Sequence, residues 1–340
     1  MKCIRTENAV GHVLCHDMTQ IIPGVSKGPR FRKGHVVTEE DIPVLLSMGK
    51  ENLFVWEMEP GMVHENDAAE RLAALCGREN MTWSETKEGK IELKSAIEGV
   101  FLVDSARLFA VNSIDELMIA TRRGGGTVHP GDKLAGTRVI PLIIREEKLR
   151  QAEQAAGSAP LLSVRPFVRR TAAVITTGSE VAKGRIPDSF TPVVERKLAA
   201  FGIRMTEHIL VEDGQENVLE AIEQMKRRPV DMILCTGGMS VDPDDSTPGA
   251  IKQSGADIVT YGAPVLPGAM FLLGYYADGR PVMGLPGCVM YAKATIFDLV
   301  LPRIAAGVRL TRRDFVALGE GGLCLGCEVC TYPHCGFGGV

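Results

Sequence analysis

Thr171-Ala172-Ala173-Val174-Ile175-Thr176-Thr177-Gly178-Ser179-Glu180 is the stretch on which the reading of this chain turns. Residues 171–176 form a short apolar run with a polar turn behind it. Such a run, not alternating with charges, suits a strand buried on both faces of a parallel sheet. The pattern repeats downstream. Residues 192–201 have helical spacing and stop at Gly202; 204–211 read as the next strand; 215–227 read as a helix with Asp213 and Gly214 at its entrance. A second buried strand, 230–235, runs straight into Thr236-Gly237-Gly238. Residues 257–262 and 281–283 supply two more strands, and 288–306 a long apolar helix. This alternation predicts an α/β domain over 165–310, three layers α/β/α with a mostly parallel sheet and helices on both faces.

Outward from that domain, the 340 residues are too many for one ordinary core. Residues 143–159 are charged and alanine-rich, end in Gly157-Ser158-Ala159-Pro160, and read as a helix followed by a linker. Residues 1–160 are then a mixed α+β accessory region. It holds β-rich runs such as Asn52-Leu53-Phe54-Val55-Trp56, a helix expected over 39–48 with Thr38 as N-cap, and a second from Glu65 to Gly77. Gly124-Gly125-Gly126 reads as a plain loop, since no helix start follows it to aim amides at an anion. Residues 311–340 form a short cysteine-rich tail.

Hydrophobic residues make up 45% of the chain and charged residues 24%, enough apolar material for sizeable cores with a soluble surface. The net charge of −4 argues against nucleic acid or an anionic membrane as partner. The segment Met1-Lys2-Cys3-Ile4-Arg5-Thr6-Glu7-Asn8 lacks the apolar core of a secretory leader. The apolar stretch 263–276 is broken by Pro264, Pro267 and Gly268, so no bilayer span is expected and a cytoplasmic location is.

Three loops carry candidate chemistry. In Thr177-Gly178-Ser179-Glu180, small residues let the backbone approach a phosphate while hydroxyls add donors. An ordinary strand-to-helix turn has the same composition. The second loop, Thr236-Gly237-Gly238-Met239-Ser240, continues to Asp242, Asp244 and Asp245, three carboxylates within four positions that suit Mg²⁺ bound between protein and phosphate oxygens. Ser246 or Thr247 is then expected to cap a helix through Ile251, with Pro248 in its first turn. The third, Gly284-Leu285-Pro286-Gly287-Cys288, points a helix N-terminus at the same sheet edge. Ligands of such sheets sit at the carboxyl ends of strands, where all three loops fall.

At this point the segment 171–307 resembles the molybdopterin-binding domain shared by molybdopterin molybdenumtransferases and molybdopterin adenylyltransferases. The order Thr177-Gly178-Ser179-Glu180, Gly184, Ile186-Pro187-Asp188-Ser189 is similar to the transferases' first loop. Asp213 falls where they have an acidic residue ahead of a helix. Thr236-Gly237-Gly238 with Ser240 and Asp245 resembles their glycine-glycine loop and aspartate, and Gly284-Leu285-Pro286-Gly287 their last loop. The resemblance implies molybdopterin or its adenylate as ligand, molybdate as co-substrate, and molybdate insertion with AMP release and Mg²⁺. It implies that Asp245 and Glu180 position metal and adenylate, with Asp213 assisting. The ligand would be held by Thr177, Gly178, Ser179, Thr236, Gly237, Gly238, Ser240, Asp244, Pro286 and Gly287. Homologous domains commonly self-associate, so a homo-oligomer is implied too. The sequence departs at three places: where the transferases' last loop continues with Asn-Pro, this chain has Cys288-Val289; its N-terminal half lacks their usual lead-in segments; and where they carry Lys-Pro-Gly-Lys-Pro, it has Leu266-Pro267-Gly268-Ala269-Met270. Each charge-assisted hydrogen bond so lost is worth about 1.5–3 kcal/mol. The alternative function is therefore a non-catalytic carrier or chaperone of molybdopterin or the finished cofactor.

The nine cysteines are an odd number, which excludes a complete internal disulfide framework. Four crowd the tail as Cys324-x-x-Cys327-x-x-Cys330-x-x-x-x-Cys335. Thiolates at this spacing can wrap Zn²⁺ or an iron–sulfur cluster, and the first three resemble a bacterial ferredoxin run. A reduced, disordered, glycine-rich tail is the competing expectation.

Overall fold

The run at 171–177 forms a strand, and its alternation builds two cores. The computed structural model describes residues 2–22, 26–55, 60–240 and 246–339. The chain divides into two compact units, one of Met1–Ser95, Val103–Arg122 and Gly131–Ser163, the other of Ala96–Leu102, Arg123–Pro130 and Val164–Val340.

The second unit contains β1 (Thr171–Thr177), α1 (Ser179–Ala182), α2 (Thr191–Ala199), β2 (Arg204–Val211), α3 (Gln215–Lys226), β3 (Met232–Thr236), α4 (Thr247–Gln253), β4 (Asp257–Tyr261), β5 (Leu272–Tyr275), β6 (Pro281–Leu285), α5 (Ile296–Ala305) and α6 (Arg312–Val316). The sheet order is β2-β1-β3-β6-β5-β4. The first four strands are parallel, and β5 runs antiparallel to both its neighbours. Successive residues of a strand point to opposite faces. Ala172 and Val174 of β1, with Met232 and Leu234 of β3, pack against Val194 and Leu198 of α2 and Phe297 and Val300 of α5. Ala173, Ile175, Ile233 and Cys235 pack on the other side against Val218 and Ile222 of α3 and Ile251 of α4. Burying a side chain of this size stabilises by about 1.5–3 kcal/mol, so both faces demand a helix layer. The α/β class expected from sequence is the class observed.

Two elements differ from their sequence reading. The helix expected over 288–306 is a 3₁₀ turn, Gly287–Met290, and then α5. Thr295 starts a new helix there: its hydroxyl accepts the Phe297 amide, while Asp298 accepts the Thr295 amide at 2.7 Å. A capping box of this kind marks a helix start and interrupts a longer one. Strand β5 lies inside the stretch read only as a broken apolar run. The prolines that break it form the connection from β4, closed by the Gly262 amide on the Phe271 carbonyl at 2.8 Å.

In the first unit, Met81–Trp83, Lys90–Ser95, Lys133–Val139 and Leu117–Thr121 form a four-stranded antiparallel sheet in that order, accompanied by helices Glu65–Ala74, Ser105–Asn112 and Glu146–Ala156. Asn52–Val55 pairs with Lys2–Arg5 and buries Leu53 and Val55. The helix expected over 39–48 is Asp41–Ser47. Thr38 does not act as a cap acceptor; its amide and hydroxyl both donate to Asp41 Oδ2, at 2.9 and 2.8 Å, and hold 38–40 outside the helix. Among the described residues no helix is long and apolar enough to cross a membrane.

Candidate functional site

Parallel register brings the three loops together. Thr176 of β1 pairs with Thr236 of β3, and Thr236 pairs with Leu285 of β6. The three strands therefore end level, and the loops after them leave one edge of the sheet side by side. The buried hydroxyl of Thr177 donates to the Thr236 carbonyl at 3.1 Å and ties the first loop to the second. Gly237 has φ +86°, and a Cβ there would lie 2.4 Å from Thr177 Oγ1 and 2.5 Å from its carbonyl oxygen. Only glycine fits both the conformation and the approach.

Around the first loop, the Ser179 amide donates to Asp213 Oδ2 at 2.8 Å, and the Asp213 amide donates back to Ser179 Oγ at 3.3 Å. Asp213 thus holds the start of α1 onto the turn after β2. Glu180 is exposed, and its carbonyl accepts the Arg185 amide at 2.8 Å. Asp188 accepts the amides of Phe190 and Thr191 at 2.8 and 3.0 Å, and the Thr191 hydroxyl. That hydroxyl also contacts Thr176 Oγ1 at 2.9 Å and His208 Nε2 at 3.1 Å. Burial pushes the Asp188 carboxyl up, but the hydrogen bonds to its charged form outweigh this and hold it below the usual aspartate value.

The second and third loops line one cleft of about 490 Å³. Gly237, Gly238, Ser240, Pro286 and Gly287 all line it. Thr177, Gly178, Ser179 and Thr236 are not among its described lining residues. Asp244 and Asp245 lie outside the described residues. Ser246 takes the N-cap position of α4 without a side-chain cap; Thr247 instead donates to the Gly237 carbonyl at 2.9 Å and closes the second loop.

Sequence reasoning missed the rest of the lining. Of Leu266 and Ala269, the two positions that align with the lysines of the resembled segment, Ala269 alone borders the cleft, as do Gly268 and Met270 beside it. No Lys or Arg is among its described lining residues. Met239, Cys288, Met290 and Tyr291 complete the walls. Tyr291 is 76% exposed, an aromatic surface that the expected long helix hid. Burial pushes the Cys288 thiol up, which favours its protonated form.

The tail is ordered against the domain. Leu266 and Leu323 form a parallel bridge, and Phe337 is buried. Cys324, Cys327, Cys330 and Cys335 all border a second cavity of about 430 Å³. Among the described residues no three His, Cys, Asp or Glu side chains are grouped to hold a metal ion; the expected Mg²⁺ ligands Asp244 and Asp245 lie outside those residues.

Comparison with known proteins places the domain. Residues 173–306 match a family described as the probable molybdopterin binding domain, and residues 3–57 match a domain of unknown function, DUF8806. The segment read from its loops as a molybdopterin-binding type of domain is matched as such. Competence-damage inducible proteins, a provisional name, of Bacillus cereus strain AH187 and Bacillus anthracis strain A0248 are 33% identical over 90 residues, 26% of this chain. The chain spans 22% of those relatives' length. The tungsten cofactor synthesizing protein MoaB of Pyrococcus furiosus superposes with a TM-score of 0.33 at 20% identity, over 40% of this chain and 91% of that one. The molybdopterin biosynthesis Mog protein of Mycobacterium ulcerans does so at 0.33 and 24%, over 40% and 92%. These structural likenesses cover part of the chain at low scores.

Proposed function

We propose that this protein acts in molybdenum cofactor biosynthesis, binding molybdopterin or its adenylate in the cleft between residues 237–240 and 286–291. The observation that carries the reading is the level ending of β1, β3 and β6, which presents glycine-rich backbone at one sheet edge within a domain of the molybdopterin-binding type. Backbone amides there suit a terminal phosphate, and the flat apolar walls supplied by Met239, Met290 and Tyr291 suit a pterin ring.

Within that role we infer molybdate insertion. The two dithiolene thiols of adenylated molybdopterin bond to molybdenum as one molybdate oxygen leaves with their protons as water; a water cleaves the phosphoanhydride, giving AMP and the molybdopterin phosphate. Glu180, Asp213 and Asp245 are the carboxylates assigned to this step, with Asp244 and Asp245 offering Mg²⁺ the oxygen ligands it prefers. Bound Mg²⁺ would neutralise charge on the phosphates. Incubation with adenylated molybdopterin, molybdate and Mg²⁺ should release AMP, and Asp245→Ala should abolish the release. AMP release no greater than that of the variant would reject the catalytic step.

The uncharged segment Gly268-Ala269-Met270 at the cleft favours a second reading, a carrier that binds without turnover. It predicts saturable quenching of pterin fluorescence with no AMP. Absence of any pterin binding would reject both readings.

A further inference from the structure

We propose that the tail is a binding site for an iron–sulfur cluster, ligated by Cys324, Cys327, Cys330 and Cys335. This stands apart from the pterin reading and would survive its failure.

The tail is held in place by groups the domain supplies. The Leu266 amide donates to the Gly322 carbonyl and the Cys324 amide to the Leu266 carbonyl, both at 2.8 Å. Pro302 lies inside α5 and has no N–H for the carbonyl four residues earlier, that of Asp298. The Tyr332 hydroxyl donates to that carbonyl at 3.0 Å, so the tail fills a vacancy in the helix. Gly338 packs so closely that a Cβ would lie 2.3 Å from Leu299 Cδ2. These contacts bracket the cysteines at both ends and fix a loop that has no helix or strand of its own between residues 324 and 336.

Within this frame all four cysteines border one cavity, walled also by Tyr332 and Phe337. All four are free thiols. Cys324 and Cys335 pack against the domain core, and Cys327 is exposed. The amides of residues 325–332 donate to no protein acceptor among the described residues. Cluster sulfurs accept hydrogen bonds from backbone amides, which tune their potential.

A single Zn²⁺ takes four sulfurs at about 2.3 Å from one point, whereas in a four-iron cluster each thiolate binds a different iron, so the ligands stand apart around a body of several atoms. Four cysteines bordering one cavity of about 430 Å³ supply the thiolates such a body needs. Each thiol loses its proton to solvent as it ligates iron.

The full-length protein, purified under anaerobic conditions or incubated with a preformed cluster donor, should carry iron and acid-labile sulfide in equal amounts. It should also show a broad visible charge-transfer absorption that dithionite bleaches. Cys327→Ser and Cys330→Ser should each lose most of the iron and the absorption, while Cys3→Ser keeps both. Cys327 is exposed, so its variant should retain the far-ultraviolet circular dichroism of the parent, separating ligand loss from unfolding. One zinc per chain without iron or sulfide would overturn the proposal. So would iron retained undiminished by the tail variants, or no metal under either condition.

Discussion

At the scale of single residues, the site rests on a few positions with no tolerance. Gly237→Ala forces a left-handed conformation on a residue with a Cβ and drives that atom into Thr177. We expect a loss of about 1–3 kcal/mol in urea unfolding, with weakened pterin binding. Unchanged stability and affinity would mean the two loops are not locked as described. Asp188 makes a second residue-scale prediction. Its folded pKa is depressed, so the folded state binds fewer protons than the unfolded chain between the two values. Stability from this cluster is therefore present above the ordinary aspartate pKa and is lost as pH falls through the folded value. Asp188→Asn should lower Tm at neutral pH and flatten its decline in acid; parallel curves for both proteins would refute this. Glycine and aspartate were both visible in the sequence, but their partners were not. Thr177 lies 60 positions from Gly237, and no local pattern joins them.

At the scale of elements, local signals were legible wherever a helix or strand stabilises itself. Strand β2 occupies the range read for it, and α3 ends one residue short. Failures occurred where a polar side chain did something other than its usual task. Thr38 donates to Asp41 instead of capping, and Thr295 with Asp298 starts α5 in the middle of an apolar run. The Tyr332 contact belongs here. Tyr332→Phe keeps the ring and strands the Asp298 carbonyl, and we expect about 1–3 kcal/mol of destabilisation, measured by denaturant unfolding. Burial pushes the Tyr332 phenol up, so the hydroxyl remains a donor throughout the neutral range.

At the scale of the whole molecule, the chain does not change units once. Residues 96–102 and 123–130 leave the first unit and join the second, where Val100 is fully buried in the core under α5. Gly99–Val103 is a strand, and a Cβ at Gly99 would lie 2.2 Å from the Arg165 carbonyl oxygen, so it is tightly fitted. A fragment of residues 164–340 lacks it. Removing one large buried side chain typically costs about 2–5 kcal/mol, and the fragment should melt well below the full chain in calorimetry. An equal Tm would show that the strand is dispensable.

The alternation of apolar runs, helices and glycine-rich turns determined by itself that residues 165–310 form an α/β domain with loops suited to an anion. Burial periodicity and backbone freedom are written residue by residue, so these features needed no partner. Tertiary structure alone decided that β1, β3 and β6 end level and that Gly268-Ala269-Met270 borders the cleft. It also decided that the four tail cysteines border one cavity. Each of these depends on strand order and on contacts between distant segments, whose energies are set by register and packing in three dimensions and leave no trace in local sequence.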